Sequence, residues 1–468
     1  MSGAPADAAA FFETVRTLRA SPLPEARELF TDEAPLLVAR APGRLDVMGG
    51  IADYSGSLVL QLPLREATFA AVQRQAERTI EIVSLPSEGG TRAVRARVPL
   101  AALEEEGRPA AYESARAFFR RDPDTHWAAY VAGAFPVLAR ERGLSFPGGA
   151  RILIASSVPG GKGVSSSAAL EVAAMKAVAT AFGLDLSGRA LALLAQKVEN
   201  LVVGAPCGVM DQMTATCGDE GRLLALLCQP AELQEPVAVP DDLALYGIDS
   251  GLRHAVTGAD YTSVRVAAFM GLRILIEAGG AAAGGYLANV DAAEFDRRWS
   301  ALLPERLGGA AFLRRFGGTT DGVTTVDPGR DYAVRVATAH PVHEHARVRG
   351  FAALLREPAG PERRRHLGAL MLEAHRSYSA CGLGSPGTDR LVELAGAEPS
   401  LHGAKITGGG SGGTVAVLAD AGPAGAEAVQ RVAARYRTET GHAATVFAGS
   451  SPGADAFGVV SLAPARRG

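Results

Sequence analysis

The stretch VPGGKGVSSSAALEVA, from Val158 to Ala173, decides the fold of this 468-residue chain. An apolar run before it predicts a strand ending at Pro159, and its glycines permit a tight turn into a helix that begins among three serines. Backbone N–H groups at a glycine loop and at a helix N-terminus bind anions, so the unit predicts a phosphate site. It is not a Walker loop, because Lys162 is followed by Gly163. A plain strand-to-helix turn is the alternative.

The composition is typical of a globular protein with two or three domains. Hydrophobic residues make up 47% and charged residues 21%, and the net charge of -3 gives no reason to expect a nucleic acid or an anionic membrane as partner. No apolar run has the length of a membrane helix, the N-terminus lacks the pattern of a signal peptide, and the 4 cysteines lack metal or disulfide spacing. We expect a cytoplasmic protein, monomeric or homodimeric.

Strand-like and helix-like runs alternate on both sides of this unit. The predicted strands cover residues 36–42, 56–64, 67–75, 79–86 and 150–159. The predicted helices cover residues 127–142, the serines to about residue 183, and 186–203, while residues 91–124 are expected to be loops with one or two helices. A segment rich in proline and acidic residues at 229–242 predicts a boundary between two lobes, 1–240 and 241–468.

Two carboxylates downstream fit a phosphate site. Glu199 lies on a predicted helix, and Asp211 follows in the loop VVGAPCGVMDQ. A carboxylate and a serine hydroxyl can hold a magnesium ion between nucleotide phosphates, and a second carboxylate can orient or deprotonate an attacking hydroxyl. A solvated helix face for Glu199 and a helix cap for Asp211 are the alternatives.

Two more glycine-rich loops complete the pattern. KITGGGSGG (Lys405–Gly413) cannot form a helix or strand interior, and because an apolar strand follows at once, we expect a backbone loop packed on a ligand rather than a flexible linker. PGRLDVMGGIADYSG (Pro42–Gly56) has polar side chains at its two ends. Its middle, from Gly49 to Ala52, has none.

These three loops, in this order, resemble the motifs of the GHMP small-molecule kinases, and PGRLDVMGGIADY resembles the galactokinase signature. The stretches VENLVVGAPCGVMDQM and GIDSGLRHAVTGADYTSVRV are most similar to the kinase domains of L-arabinokinases, in the galactokinase-like branch. The resemblance implies a two-lobed α+β fold with mixed β-sheets and helices, and an active site between the lobes. It implies an ATP- and Mg²⁺-dependent kinase for the anomeric hydroxyl of a sugar, here L-arabinose. Plant members carry an extra N-terminal half, which we expect this chain to lack.

The resemblance also implies roles for individual residues. Asp211 would be the catalytic carboxylate, and Arg44 would stabilise charge on the transferring phosphoryl group. Ser167 and Glu199 would hold magnesium, with Ser166 as the other candidate ligand. The residues that would line the nucleotide phosphates are Pro159, Gly160, Gly161, Lys162, Gly163, Val164, Ser165, Ser166 and Ser167. The residues that would line the sugar are Asp53, Gly50, Ile51, Tyr261, Gly409 and Gly410.

Gly50 and Ile51 suggest a sugar preference. Galactokinases carry Glu-His at these positions, where the resemblance implies a contact with the galactose hydroxymethyl group. L-Arabinose lacks that group, and a buried carboxylate without a partner would cost about 1–3 kcal/mol. We therefore expect an apolar wall that selects a pentose. The alternative is neutral variation in a loop that still accepts galactose.

Other functions stay open at this point. A galactokinase or a uronic-acid 1-kinase would share the fold, and the latter would need a cation near Gly50, such as Arg65 or Arg253. A non-catalytic sugar- and ATP-sensing regulator usually has a damaged ATP loop, whereas the loop residues here are intact.

Three histidines, a cysteine and an aspartate receive structural interpretations. The histidines in HPVHEHARV do not share one helix face and are expected to be structural rather than metal ligands. Cys207 has no histidine nearby in its motif and is expected to pack rather than react. Asp389 is expected to cap a C-terminal helix.

Overall fold

The computed structural model describes residues 5–32, 34–86, 92–252, 259–279, 283–410 and 413–463. In these ranges the strands are β1 (Leu36–Met48), β2 (Leu58–Arg74), β3 (Thr79–Ser84), β4 (Val94–Pro99), β5 (Glu104–Glu105), β6 (Arg108–Pro109), β7 (Ala150–Ser156), β8 (Arg222–Leu227), β9 (Glu232–Leu233), β10 (Val237–Ala238), β11 (Leu243–Asp249), β12 (Leu307–Gly308), β13 (Asp331–Tyr332), β14 (Leu401–Ile406), β15 (Thr414–Asp420), β16 (Val446–Ala448) and β17 (Val459–Leu462).

The α-helices in the same ranges are α1 (Ala6–Arg16), α2 (Pro24–Arg27), α3 (Tyr112–Arg120), α4 (Ala129–Ala132), α5 (Ala134–Arg142), α6 (Ser166–Ala181), α7 (Gly188–Lys197), α8 (Met210–Cys217), α9 (Ala259–Glu277), α10 (Ala292–Glu294), α11 (Gly309–Phe316), α12 (Val334–Leu355), α13 (Pro361–Ala380), α14 (Pro386–Gly396), α15 (Pro423–Thr440) and α16 (Ala454–Phe457). None of these helices combines the length and the apolar character that a membrane span needs.

The first sheet is organised around β2. This strand pairs with β1 along most of its length, with β7 at one end and with β8 at the other. β3 pairs parallel with β7 and antiparallel with β4, so the nine-stranded sheet of the described chain is mixed. The two strands predicted at 56–64 and 67–75 are one continuous 17-residue strand, although its pairing with β1 shifts register between Pro63 and Ala67. The interpretation of residues 91–124 as loops and helices was wrong for β4, which pairs with β3 over six positions.

Helices cover one face of this sheet. The largest core joins alanine and valine side chains of α6 and α7 to inward-facing residues of β2, β3 and β7. Small side chains on α6, such as Ala173 and Ala177, are fully buried and let the helix lie close to the sheet. The N-terminus of α6 is therefore held rigidly at the edge where β7 ends.

The second half has its own antiparallel sheet, ordered β14-β15-β11-β16, with a separate helical core around α9, α12 and α13. The final strand β17 leaves this half and pairs with β1, so the first sheet includes a strand from beyond residue 240. These sheets and helices confirm the predicted α+β class with mixed sheets. Ser385, not Asp389, caps α14 and forms a reciprocal box with Thr388, because the helix begins at Pro386, three residues before Asp389.

Candidate active site

An arginine and an aspartate from distant parts of the chain form the centre of the site. Arg44 lies on β1 and Asp211 is the second residue of α8. The guanidinium donates two parallel hydrogen bonds to the carboxylate, Nε to Oδ1 at 2.8 Å and Nη2 to Oδ2 at 2.9 Å. Its third nitrogen, Nη1, donates to the carbonyl of Gly163 at 2.6 Å. Burial lowers the pKa of Arg44, but the charges of Asp211 and Asp46 and the hydrogen bonds to Asp211 together raise it above the usual range, so this side chain stays a cation.

The predicted phosphate loop has the backbone of an anion site. Gly161 and Gly163 have φ of 72° and 73°, and Ser165 has φ of 67°, a left-handed conformation that is uncommon for a residue with a side chain. The next residue, Ser166, begins α6. Ser165 Oγ is buried and has no hydrogen-bond partner among the described residues. Strain and an orphaned hydroxyl at a helix N-terminus both indicate that this loop is built for a ligand.

The third glycine loop rests on the phosphate loop. Thr414 Oγ1 donates to the carbonyl of Lys162 at 2.8 Å. A Cβ at Gly408 would lie 2.7 Å from the Gly163 carbonyl and 3.1 Å from Arg44 Nη2, so only glycine fits there. Gly410 also has positive φ, 78°, and Gly409 between them is partly exposed. The two loops therefore meet at Arg44, as expected for a site between the lobes; Ser411 and Gly412 lie outside the described residues.

Lys162 connects the two loops electrostatically. Its ammonium lies 2.8 Å from Asp249 Oδ2, and Asp249 is the last residue of β11 in the second half. The lysine of the phosphate loop thus pairs with a carboxylate of the opposite lobe.

The predicted magnesium ligands lie together behind Asp211. The Glu199 carboxylate forms a hydrogen bond with Ser167 and accepts another from Gln212 Nε2 at 2.6 Å. Burial and the nearby charge of Asp211 raise the pKa of Glu199 to about 7. Glu171, which the sequence reasoning missed, lies on the other side of Gln212 at 3.1 Å, and burial and the Glu199 charge raise its pKa well above the usual range.

This donor set fits a magnesium ion that takes its other ligands from nucleotide phosphates. A cation would stabilise the charged form of crowded carboxylates whose pKa values are raised, and Mg²⁺ prefers one or two carboxylates with phosphate oxygens and waters. Within the described ranges there is no cluster of three or more His, Cys, Asp or Glu side chains able to hold a metal alone. Ser167 and Glu199 stay the candidate protein ligands for magnesium.

Asp53 forms the predicted sugar side of the site. It lies in a short 3-10 helix after β1 and is 5% exposed. Burial, and then the charge of Asp211, raise the pKa of Asp53 to about 7. Its Oδ1 has no hydrogen-bond partner in the described structure, and a Cβ at Gly208 would lie 1.8 Å from its Oδ2. A buried carboxylate with an unused oxygen, packed against bare backbone, is suited to accept hydrogen bonds from a bound hydroxyl.

Arg265 is the main site residue that the sequence reasoning missed. It forms a bidentate pair with Asp321, Nε to Oδ2 at 2.8 Å and Nη2 to Oδ1 at 2.9 Å. Its Nη1 donates to the carbonyl of Cys207 at 3.0 Å, and its charge lowers the pKa of Asp53 against the effect of burial. It follows Tyr261 by four positions on α9, so helical spacing could have placed both side chains on one face.

Tyr261 lies beside Asp53, as the sequence predicts. Its ring meets Tyr54 edge-on, with 5.9 Å between centroids. Burial, and then the charge of Asp53, raise its pKa well above the usual range, so the hydroxyl remains a donor.

The apolar middle of the first loop differs from the expected wall. Ile51 is 1% exposed and packs in the core with Tyr54 and Leu383. A Cβ at Gly50 would point at the hydroxyl of Tyr378, 1.4 Å away, rather than at open space. Tyr378 was not singled out from the sequence, because it lies 327 residues from Ile51 in no recognisable motif.

Of the two cations considered for a uronic acid, only Arg65 lies in the described part of the chain. Arg65 is exposed beside Gly449, and Arg253 lies outside the described residues. The ammonium of Lys405, 2.7 Å from Asp46 Oδ2, belongs to an ion pair in which both side chains are fully buried.

The histidines and the cysteine have structural environments. His340 Nδ1 lies 2.7 Å from Ser377 Oγ, His343 pairs with Asp296, and His345 Nδ1 accepts from the N–H of Leu58, so the three have separate partners. Burial lowers the pKa of His340 to about 4. Burial and nearby carboxylates raise the pKa of the Cys207 thiol well above its usual range, which disfavours a nucleophilic thiolate.

Comparison with known protein families agrees with this geometry. Residues 129–219 match the GHMP kinases N terminal domain and residues 351–438 match the GHMP kinases C terminal domain. Residues 27–74, which include Arg44 and Asp53, match the galactokinase galactose-binding signature.

Three individual proteins illustrate the similarity. An L-arabinokinase of Arabidopsis thaliana is 44% identical to this chain over 93% of the chain's length. The chain spans only 47% of the length of that protein. A galactokinase of Chloroflexus aggregans is 31% identical, over 88% of this chain and 91% of that protein. The crystal structure of Lactococcus lactis galactokinase complexed with galactose superposes with a TM-score of 0.71 at 20% identity, covering 93% of this chain and 97% of that one, and so shows a shared fold.

Proposed function

The chain belongs to the GHMP kinase family, in its galactokinase-like branch, and from this premise we propose that it is an ATP-dependent L-arabinose 1-kinase. The reaction would convert L-arabinose and ATP into L-arabinose 1-phosphate and ADP. The observation that carries the proposal is the position of Arg44, which binds the Asp211 carboxylate and the phosphate-loop carbonyl of Gly163 at once. Arg44 thus joins the side of the site suited to a sugar hydroxyl to the side suited to phosphates.

Each part of the site has a role in this transfer. Asp53 accepts hydrogen bonds from sugar hydroxyls, and Asp211 orients the anomeric hydroxyl and takes its proton as the new O–P bond forms and the bond to ADP breaks. Arg44 stabilises the negative charge that develops on the phosphoryl oxygens. The phosphate loop, from Pro159 to Ser167, binds the nucleotide phosphates. Mg²⁺, when bound with ATP, would be held by Ser167 and Glu199 and would neutralise phosphate charge.

L-Arabinose is proposed over D-galactose because the Arabidopsis relative is named for that sugar at 44% identity. The absence of any side chain at residue 50 agrees with it. A uronic acid has less support, since the buried ammonium of Lys405 is paired with Asp46. A cytoplasmic location, a monomer or homodimer, and the lobe limits 1–240 and 241–468 stay predictions from the sequence.

The test is ADP release from ATP and Mg²⁺ with L-arabinose, D-galactose, D-glucuronate and D-galacturonate. We expect kcat/KM for L-arabinose to exceed that for each other sugar by at least about tenfold, equivalent to about 1.4 kcal/mol. Equal or higher efficiency with D-galactose would make the protein a galactokinase with a variant loop. The Asp211→Asn variant should keep its fold and lose turnover; a variant that turns over normally would contradict a catalytic role for Asp211.

A further inference from the structure

The backbone at Gly50 leaves no space for a side chain. A Cβ there would lie 1.4 Å from Tyr378 Oη, 2.6 Å from Tyr378 Cζ and 2.8 Å from Asp46 Oδ2. Its φ of 45° also favours glycine. The volume into which a residue-50 side chain would extend is thus occupied by the phenol of Tyr378.

Tyr378 joins the two loops that border the sugar side of the site. Its hydroxyl accepts a hydrogen bond from the N–H of Ile51 at 2.8 Å and donates one to the carbonyl of Gly408 at 3.1 Å. The donor hydrogen is therefore already used, and none remains for a sugar hydroxyl. The ring is held from behind by His340, edge-on at 5.2 Å, and by the Lys405 ammonium at 5.3 Å.

The two hydrogen-bond partners of the Tyr378 hydroxyl lie close to Arg44 and Asp53. Gly408 packs against Arg44, and Ile51 precedes Asp53 by two positions in the same 3-10 helix. Tyr378 is 0% exposed and Ile51 is 1% exposed, so the gap between the loops is filled rather than open. The space beside residue 50, between the two loops, is therefore closed.

We propose that Tyr378 is the specificity-determining residue of the sugar site, and that its hydroxyl closes the space which a hydroxymethyl group at sugar C5 would need. L-Arabinose and D-galactose share their ring hydroxyl configuration and differ by this group, while D-fucose carries a methyl group instead. The inference rests on the proposed sugar kinase function. It assigns the selectivity to a tyrosine of α13 rather than to a wall formed by Gly50 and Ile51.

The first experiment compares kcat/KM for L-arabinose, D-galactose and D-fucose in wild type, Tyr378→Leu and Tyr378→Phe. In Tyr378→Leu we expect the ratio of L-arabinose to D-galactose to fall at least tenfold, with a similar gain for D-fucose. Tyr378→Phe removes only the hydroxyl and should shift the ratio in the same direction by less. If Tyr378→Leu does not fold, the sugar preference of Tyr378→Phe tests the proposal.

A matched control separates selectivity from a general loss of packing. Tyr332 is also a buried tyrosine of the second half, and its hydroxyl accepts from the N–H of Asp327 at 2.9 Å, away from the site. Tyr332→Leu should lower stability and leave the sugar ratio unchanged. If both Tyr378 variants keep the wild-type ratio of kcat/KM for L-arabinose to kcat/KM for D-galactose, while wild type turns over L-arabinose normally, the inference about Tyr378 is overturned and the proposed function is not. No turnover of any sugar by wild type would overturn the proposed function, and the inference with it.

A second readout needs no turnover. Gly50→Ala should abolish the rise in melting temperature that L-arabinose gives wild type, because its Cβ overlaps the Tyr378 hydroxyl. The double variant Gly50→Ala/Tyr378→Leu should recover part of that rise. A double variant no better than Gly50→Ala would contradict the claim that Tyr378 fills this space.

Discussion

The Arg44–Asp211 pair has the geometry that arginine alone provides. A planar guanidinium makes two parallel bonds to the carboxylate and still has a third nitrogen for the Gly163 carbonyl, whereas an ammonium is a single point charge. Since the pair is largely shielded from water, its position relative to the phosphate loop is fixed before a substrate binds.

We therefore predict that Arg44→Lys lowers kcat by roughly 100-fold or more, in the range observed when a preorganised charge donor is lost. Arg40→Lys is the matched control: Arg40 is also buried on β1, but it binds Asp7 and the Arg65 carbonyl outside the site. The control should lose stability and keep kcat. Steady-state kinetics with circular dichroism would distinguish the two, and equal losses of kcat would refute a special role for Arg44.

Burial of the Asp53 carboxylate lowers the stability of the folded protein, and the proposed role of Asp53 in sugar binding explains why it is buried. Its pKa of about 7 in the folded protein lies above the ordinary value of 3.8, because burial and Asp211 disfavour the charged form. Between about pH 4 and pH 7 the folded state binds a proton that the unfolded state has released, so this group makes the free energy of unfolding fall as pH rises. Above about pH 7 the penalty is complete.

Accordingly, Asp53→Asn should raise the free energy of unfolding at pH 8 by about 1–3 kcal/mol and have little effect near pH 4, while sugar phosphorylation is lost. Chemical denaturation of the ligand-free protein at both pH values measures the difference. Asp185→Asn, at an exposed position, should show no such pH dependence. Equal effects of Asp53→Asn at the two pH values would rule out the raised pKa.

At the scale of the element, the phosphate loop and α6 show how a helix start becomes a binding site. Ser165 takes a left-handed conformation immediately before α6, and its hydroxyl makes no cap hydrogen bond. A serine that neither relieves strain nor caps its helix has no evident structural use there. Its hydroxyl is thus available to a nucleotide phosphate.

Two substitutions separate strain from binding at this position. Ser165→Ala and Ser165→Gly should both raise KM for ATP by roughly tenfold, because each removes the phosphate donor. Ser165→Gly should be more stable than Ser165→Ala by about 1 kcal/mol, since glycine adopts positive φ without strain. Kinetics and thermal unfolding of both variants test this, and unchanged KM values would exclude a phosphate contact.

Local sequence patterns predict helices and strands well where the hydrophobic periodicity is strong. They predict strands less well where pairing with a distant strand determines the structure. The helix from the serines to about residue 183 agrees with α6, which ends at Ala181. β4 was missed because its residues, VRARVP, carry alternating arginines that are exposed on one face of an edge strand. β2 was divided in two at residues 65 and 66, which are charged and lie where its pairing with β1 shifts register while the strand itself continues.

At the scale of the whole molecule, the two halves are joined by more than the active-site loops. β17 carries the end of the described chain back to β1, and Leu462 packs into the small core beneath α1. The first sheet is therefore complete only when the second half has folded beside it. We expect a single cooperative unfolding transition for the whole chain.

Leu462→Asp should lower the free energy of unfolding by about 2–4 kcal/mol, because it buries a charge in place of an apolar side chain. Ser461→Asp is the control, since the neighbouring side chain on the same strand is exposed. Calorimetry should show one transition shifted to lower temperature for Leu462→Asp and little change for Ser461→Asp. Two separate transitions in either protein would show that the halves unfold independently.

From the sequence alone came the family, the fold class and the candidate residues that lie in short motifs. Arg44, Asp211, Ser167, Glu199 and Asp53 lie in compact motifs because phosphate and sugar contacts depend on backbone shape over a few residues, which local composition encodes. Tyr378 and Glu171 became visible only in the tertiary structure, since each acts through a partner far along the chain, whereas the helical spacing of Arg265 from Tyr261 was a usable signal. Packing between the two halves decided three further features: the contact of the Gly50 position with Tyr378, the ion pair of Lys162 with Asp249, and the pairing of β17 with β1. No local sequence pattern predicts such packing.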